Sequence, residues 1–235
     1  MHCEPTWKQM PSLWATLRAW RRRSAAAAGA ALVPMSDSTP GVNVRKPMLQ
    51  YTDEEAQKAL EAGRVPMEKA NLPDDVRKVL QQASLAARVG ADPEKDSCGA
   101  SAILRTKRYR LEAFGRQEAV ESKKRKIDVR MPEEFIKKVM DMPNMEVEVQ
   151  LCGEDEYFAE GVVIELQQGS KRIKPIDIGK ADRGRKNEGK GPAFRSRFTA
   201  LFAYEQFDPN AKTVLVVNLQ DGQEARIPAD FSKVK

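Results

Sequence analysis

Lysine and arginine side chains are the main candidate functional groups of this chain, because they are concentrated in two segments. Residues 101–130 contain ten basic and four acidic residues, and residues 171–197 contain ten basic and three acidic residues. Guanidinium and ammonium groups bind phosphates and carboxylates through charge-assisted hydrogen bonds. We therefore expect the two segments to bind RNA or an acidic protein. The candidate binding residues are Arg105, Lys107, Arg108, Arg110, Lys123, Lys124, Arg125, Lys126, Lys180, Arg183, Arg185, Lys186, Lys190, Arg195 and Arg197.

Each basic segment also has another interpretation. The run from Lys123 to Lys126 reads KKRK, which is also typical of a nuclear localisation signal or of a solvated helix face. The second segment contains a long loop rich in Gly, Lys and Arg, from Gly179 to Pro192. A loop of this length in a small domain is usually functional or disordered, and we favour a binding role.

Side chains suited to enzymatic chemistry are scarce. The only histidine is His2, beside the initiator methionine, so the sequence predicts no histidine triad, HExxH site or histidine general base. The motifs GxSxG, GxGxxG and GxxxxGK[ST] are absent. We expect a non-catalytic protein with no cofactor, no metal and no small-molecule substrate.

The three cysteines give no pattern of a site. Cys3, Cys98 and Cys152 are far apart, odd in number and form no CxxC pair. Neither a zinc site nor a disulfide framework is predicted. A reducing compartment is the simplest interpretation.

Residues 1–35 differ in composition from the rest of the chain. Arg18 and the run from Arg21 to Arg23 lie in a stretch whose one acid is Glu4, and an alanine-rich run follows. An amphipathic, arginine-rich, acid-poor N-terminus is typical of a mitochondrial or plastid transit peptide. It is also consistent with a structural arm, or with translation that starts at Met35. No apolar run reaches the ~20 residues of a membrane span.

The middle of the chain is predicted to be helical. Residues 36–50 are a proline-containing linker, and residues 51–142 are a helical region. The capping box from Thr52 to Glu55 starts a helix that we expect to end at Gly63. Pro73 starts a second helix that Gly90 closes, with Val76, Val79, Leu80 and Ala83 as its apolar stripe. A third helix is expected from about Ala100 to Ser122.

Residues 143–235 change to a period of two, which predicts β-strands. Met145, Val147, Val149 and Leu151 alternate with polar residues, and Asp221-Gly222 turns the final hairpin. Five or six short strands in about 90 residues suggest a small barrel. The predicted fold class is therefore α+β: a helical N-terminal half, then a small antiparallel β-barrel, with an extended N-terminal arm.

Two segments of this β domain resemble pieces of the SH3 family. Ala200-Leu-Phe-Ala-Tyr-Glu205 is similar to the ALYDY motif, and Ile227-Pro-Ala-Asp-Phe231 is similar to the proline-started turn before the last strand. The resemblance implies an SH3-like or Tudor-like barrel. It does not imply polyproline binding, since all three tryptophans lie in the leader.

These features favour a structural subunit of a large organellar complex that docks on a polyanion, most simply ribosomal RNA. The net charge of +6 fits such a partner. One alternative is a basic linker or accessory subunit of a respiratory or photosynthetic complex. Another is a nuclear Tudor-like chromatin reader, whose aromatic cage would come from Tyr157, Phe158, Phe202 and Tyr204.

Overall fold

The described residues form four α-helices and ten β-strands in a mixed α+β fold. The computed structural model describes residues 48, 50–188 and 191–231. The helices are α1 (Asp53–Lys69), α2 (Pro73–Ala86), α3 (Lys107–Arg125) and α4 (Glu133–Met140). The strands are β1 (Arg88–Gly90), β2 (Ser101–Arg105), β3 (Asn144–Gly153), β4 (Val163–Gln168), β5 (Lys171–Ile173), β6 (Asp177–Ile178), β7 (Arg185–Lys186), β8 (Phe194–Ala203), β9 (Thr213–Asn218) and β10 (Glu224–Ala229). The α+β class with antiparallel strands is confirmed.

The strands pair in two antiparallel sheets that share one apolar core. The first sheet has the order β1-β2-β3-β8-β6, with β7 also paired to β8, and the second has the order β10-β9-β4-β5. Alternate residues such as Val147 and Phe198 enter the core from the first sheet, where they join Leu166 and Leu215 of the second. No closed barrel forms among the described residues, so the predicted barrel is not confirmed. The period-two prediction for β3 is confirmed, because its odd-numbered residues from Met145 to Leu151 are buried.

The segment expected to form the SH3-like turn has a different structure. Pro228 lies inside β10, opposite Val214 of β9. Because proline cannot donate a ladder hydrogen bond, within a sheet it is found mainly in edge strands. Strand β10 is an edge strand of the second sheet. The turn predicted for Ile227 to Phe231 is wrong.

The predicted third helix is wrong in its first part. Residues 101–105 form β2, which pairs with β3 in the register Ser101↔Gln150, and α3 begins only at Lys107. Ile103 and Leu104 fit both periods, and pairing with β3 decides the outcome. Thr106 accepts a hydrogen bond from the Tyr109 amide at 3.3 Å and so caps α3. The first sheet therefore crosses the domain boundary predicted at residue 143.

Helix α1 begins as predicted but continues beyond Gly63. The Thr52 amide donates to Glu55 Oε2 at 2.9 Å, and the Glu55 amide donates to Thr52 Oγ1 at 3.3 Å, which completes the capping box. Gly63 lies inside the helix, at the point where α3 crosses α1. A Cβ at Gly63 would lie 1.9 Å from the Glu112 carbonyl oxygen.

Helix α2 begins at Pro73 as predicted but ends at Ala86, and Gly90 belongs to β1. Val76 and Val79 of its apolar stripe pack on Met67, Ala70 and Ala119. Leu80 is 39% exposed, so the stripe is only partly core.

Gly115 makes the reciprocal close contact between α1 and α3. A Cβ there would lie 1.8 Å from the Leu60 carbonyl oxygen. We expect Gly115→Ala to lower the free energy of unfolding by about 2–3 kcal/mol, because overpacking outweighs the ~1 kcal/mol helix propensity of alanine over glycine. Urea unfolding measures this loss. As a control, Gly169→Ala meets nothing within 4 Å but has a φ of +60°, and should cost about 1 kcal/mol. Equal stability of Gly115→Ala and wild type would contradict the close helix crossing.

Buried charges hold α1, α3 and the chain after α3 together. Arg64 is 7% exposed and Glu118 is 3% exposed. Arg64 Nη1 lies 3.3 Å from Glu118 Oε2, and Arg64 Nη2 lies 2.5 Å from Asp128 Oδ1. Although burial alone would lower it, hydrogen bonds to Asp128, Glu68 and Glu118 raise the pKa of Arg64. Glu118 Oε1 also accepts from the Met131 amide at 2.7 Å.

Some sequence predictions lie outside the described residues. These are the leader, residues 1–35, and the linker, residues 36–50, apart from Met48 and Gln50. Lys190 also lies outside them.

Candidate functional site

A basic cleft opens beside β7 and β8, with a volume of about 410 Å³. Five of its eight lining residues are cationic and two are acidic. We call it the basic cleft. Its lining residues are Asp182, Arg183, Arg185, Lys186, Asn187, Glu188, Arg195 and Arg197.

The strand pairing places like charges opposite each other in this cleft. In β8, Arg195 and Arg197 alternate with the buried residues Ser196 and Phe198, so both arginines project from the outer face of the first sheet. Strand β7 pairs with β8 in the register Arg185↔Arg195. Like charges directly opposite in an antiparallel pair are destabilising. An anion bound in the cleft would remove this repulsion.

Asn187 fixes the position of Arg195 at the floor of the cleft. Arg195 Nη2 donates to Asn187 Oδ1 at 2.8 Å. Asn187 Nδ2 donates to Cys98 Sγ at 3.1 Å, and the Asn187 amide donates to the Ala193 carbonyl at 2.9 Å. Within the described residues, the buried Arg195 Nε has no hydrogen-bond partner.

The remaining cations of the cleft differ in how they are paired. Arg183 Nη2 lies 2.5 Å from Glu156 Oε2, and this hydrogen-bonded pair raises the pKa of Arg183. Arg197 Nη1 lies 3.8 Å from Glu148 Oε1. Within the part of the chain that the structure describes, neither Arg185 nor Lys186 has an ion pair. Their charges are therefore available to a partner.

A second arginine group lies on the same outer face, toward β1 and β2. Arg105 pairs with Glu146, at 2.6 Å between Nη1 and Oε1, and with Glu148. Arg110 pairs with Glu146 at 2.7 Å. Arg88 Nη1 donates to Ser101 Oγ at 2.7 Å, while burial and the charge of Arg197 lower the pKa of Arg88.

Two of the predicted site residues, Arg105 and Arg110, are therefore held in ion pairs within the protein. Arg88 was not predicted, because the sequence placed it in a helix end.

The predicted residues of α3 are spread along the helix. Lys107 is buried, its Nζ donates to the Met140 carbonyl at 2.5 Å, and burial lowers its pKa. Lys123 Nζ donates to the carbonyls of Met67 and Ala70 at 2.9 and 2.6 Å, so it stabilises the end of α1. Arg108 pairs with Glu112, and Arg125 with Glu121.

The KKRK run is separated from the basic cleft. Lys124 and Lys126 are exposed at the C-terminal end of α3. At 1.5 Å per residue, this end lies about 22 Å along the helix from Arg110, which contacts the sheet. The KKRK run thus lies on a different surface from the basic cleft, whereas Arg105 and Arg110 of the same segment share the outer sheet face with the cleft. Lys180 is exposed just after β6, outside the residues that line the cleft.

The aromatic cage predicted for a chromatin reader is not assembled. Phe202 is 0% exposed and Tyr204 is 3% exposed, because both pack into the core between the sheets. Tyr204 also accepts a hydrogen bond from the Lys107 amide at 3.2 Å. Tyr157 is exposed and Phe158 packs against the core, so the four side chains do not line one open pocket.

The disulfide between Cys98 and Cys152 corrects the prediction that the cysteines are unconnected. Their Cα atoms lie 5.3 Å apart. The register Ser101↔Gln150 between β2 and β3 brings the two segments together, which spacing in the sequence does not reveal. Cys152 pairs with Arg195 across β3 and β8, so the disulfide lies next to the basic cleft.

No protein-family model, curated protein or solved structure matches the chain. Among the described residues, no three His, Cys, Asp or Glu side chains cluster as a metal site would require. Each helix that the structure describes is too short or too polar to cross a bilayer.

Proposed function

We propose that this protein is a non-catalytic subunit of a large assembly and that it docks on RNA through the basic cleft. The observation that carries the proposal is the facing pair Arg185 and Arg195, in a cleft with five cationic lining residues. Such a pair lowers stability in the absence of an anion. A phosphate between the two guanidinium groups turns this repulsion into two charge-assisted contacts.

The chemistry of the cleft favours a phosphate backbone over a sequence-specific contact. Lys186 and Arg185 are exposed and unpaired within the described residues, so they are suited to charge neutralisation. Base reading requires amide or guanidinium groups held in a groove and free to meet a base edge. The side-chain amide of Asn187 is already engaged, because its Oδ1 accepts from Arg195 and its Nδ2 donates to Cys98 Sγ and the Pro192 carbonyl. Binding should therefore depend on salt more than on sequence.

The assembly that we propose is organellar, and its RNA is most simply ribosomal. This placement rests on the composition of residues 1–35, which is typical of a transit peptide. An acidic protein surface in a respiratory or photosynthetic complex is the competing partner. The nuclear chromatin reader is disfavoured, because Phe202 and Tyr204 of its predicted aromatic cage are buried in the core.

For the fold, we propose that the two sheets correspond to an opened barrel of the SH3-like or Tudor-like class. Strands β1 and β10 support this proposal, since they touch where the two sheets meet. Ile227 of β10 lies against Gly90 of β1, where an added Cβ would be 2.7 Å from Ile227 Cγ2.

Neutral substitutions in the cleft should reduce the salt dependence of RNA binding. In Arg185→Ser/Lys186→Ser/Arg197→Ser, three contacts are removed. Each phosphate contact contributes ~0.7 to the slope of log affinity against log salt for single strands, so we expect the slope to fall by about 2. Fluorescence anisotropy with a labelled RNA at several salt concentrations measures it.

The matched control removes three charges elsewhere. Lys58, Lys78 and Lys137 are exposed on α1, α2 and α4, none of which lines the cleft. Their replacement by serine should leave the slope nearly unchanged. Equal losses in the two triple variants would mean that net charge alone acts. Absence of RNA binding by the wild type at low salt would contradict the proposed function.

A further inference from the structure

An exposed aromatic ring stands beside the basic cleft. Tyr157, in the segment between β3 and β4, is 50% exposed and is not part of the core. The guanidinium carbon of Arg183, which lines the cleft, lies 5.5 Å from the centre of the Tyr157 ring. The ring therefore extends the cationic surface of the cleft with an aromatic one.

The backbone around this ring is tied to the cleft loop. Glu156 binds the Arg183 side chain at 2.5 Å, and its carbonyl accepts from the Gly184 amide at 2.7 Å. The Tyr157 amide donates to Asp155 Oδ1 at 2.7 Å. The Tyr157 carbonyl accepts from the Glu160 amide at 2.8 Å. Ring and cleft are thus held in a fixed relation, so a ligand in the cleft can reach both.

We propose that Tyr157 is a stacking platform for a base and that the basic cleft takes single-stranded RNA. The proposal rests on the proposed function, and it names the substrate class of the same site. Phosphates lie against the cleft cations Arg185, Lys186, Arg195 and Arg197, while one base of the same strand stacks on the ring.

The preference for a single strand follows from what each form of RNA can offer. Bases in a duplex are paired and stacked on one another, whereas an unpaired base can present its flat face to an aromatic side chain. A cationic groove beside an aromatic platform is the general arrangement by which proteins bind single strands without sequence preference. The Arg183 guanidinium carbon lies 5.5 Å from the ring centre, and the Tyr157 residue is still 50% exposed, which leaves room for a base.

The test compares three probes with wild type, Tyr157→Ala and Tyr157→Phe in the full chain. The probes are a fluorescein-labelled oligouridine, the same strand annealed to its complement, and inorganic polyphosphate as an unlabelled competitor. We expect Tyr157→Ala to weaken oligouridine binding about tenfold, since stacking contributes at that order. Its salt slope should equal that of the wild type, because the ring carries no charge. Tyr157→Phe keeps the ring and should bind like the wild type.

Polyphosphate separates stacking from mere positioning of Arg183. Polyphosphate has phosphates but no bases, so its inhibition constant should be the same for Tyr157→Ala and for the wild type. An equal loss for polyphosphate and oligouridine would mean that Tyr157 only orients Arg183, which overturns the inference. Unchanged oligouridine affinity in Tyr157→Ala, or tighter binding of duplex than of single strand, also overturns it while the proposed function stands. If the wild type binds none of the three probes, the proposed function itself is contradicted.

Discussion

Glu118→Gln is expected to lower the free energy of unfolding by about 3 kcal/mol, because it leaves the buried Arg64 without its one fully buried counter-charge. Glu118 is 3% exposed, and its two oxygens serve Arg64 Nη1 and the Met131 amide. The substitution keeps the size of the side chain and removes the charge. Urea unfolding followed by circular dichroism, with linear extrapolation to zero urea, measures the loss.

The other partners of Arg64 supply the control. Glu68 Oε1 lies 2.6 Å from Arg64 Nε, but its side chain is 44% exposed. Glu68→Gln should therefore cost less than ~1 kcal/mol. The double variant Arg64→Met/Glu118→Met removes both charges and should be more stable than Glu118→Gln, since no uncompensated charge stays buried. A loss below 1 kcal/mol in Glu118→Gln would show that the pair is solvated.

The parts of the fold that local chemistry determines were predictable. The capping box at Thr52 needs only residues three positions apart, and Pro73 needs only its own fixed φ. The alternation of β3 and the final hairpin at Asp221-Gly222 follow from period and turn residues within one segment. All four features are present in the structure.

The parts that depend on distant residues were not predictable. Residues 101–105 have both helical and strand periods, and β3, more than 40 positions later, selects the strand. Gly63 looks like a helix end in the sequence, but in the structure it is the place where α3 crosses. Glu118 looks like a solvated helix charge, because the buried arginine that binds it lies 54 positions earlier.

In the candidate site too, local features were predictable from the sequence and long-range features were not. Local charge density identified the loop whose Arg183, Arg185 and Lys186 line the basic cleft. It did not separate them from Lys107 or Lys123, which donate to backbone carbonyls and support the fold. The facing of Arg185 and Arg195 depends on strand register, which charge counts cannot supply.

Loss of the disulfide should give the largest change in stability. Cys98 and Cys152 are 54 positions apart. In the chain-entropy description, closing a loop of that length restricts the unfolded chain by about 4 kcal/mol. For a chain of this size, such a loss lowers the melting temperature by about 10 °C. We expect this shift in Cys98→Ser/Cys152→Ser, measured by calorimetry without reductant.

Reduction of the wild type provides the decisive comparison for this disulfide. A dithiol transfers two electrons and two protons to the Cys98–Cys152 bond and is itself oxidised to a cyclic disulfide. It should lower the melting temperature of the wild type to that of the double variant and leave the double variant unchanged. Serine at position 98 can still accept a hydrogen bond from Asn187 Nδ2. The Asn187 side chain, which binds Arg195, therefore keeps a hydrogen-bond partner in the variant. A shared shift would therefore report the covalent link rather than this hydrogen bond. If thiol titration shows complete reduction and the melting temperature of the wild type does not change, then the link does not restrict the unfolded chain, and pairing of β2 with β3 alone holds the two segments together.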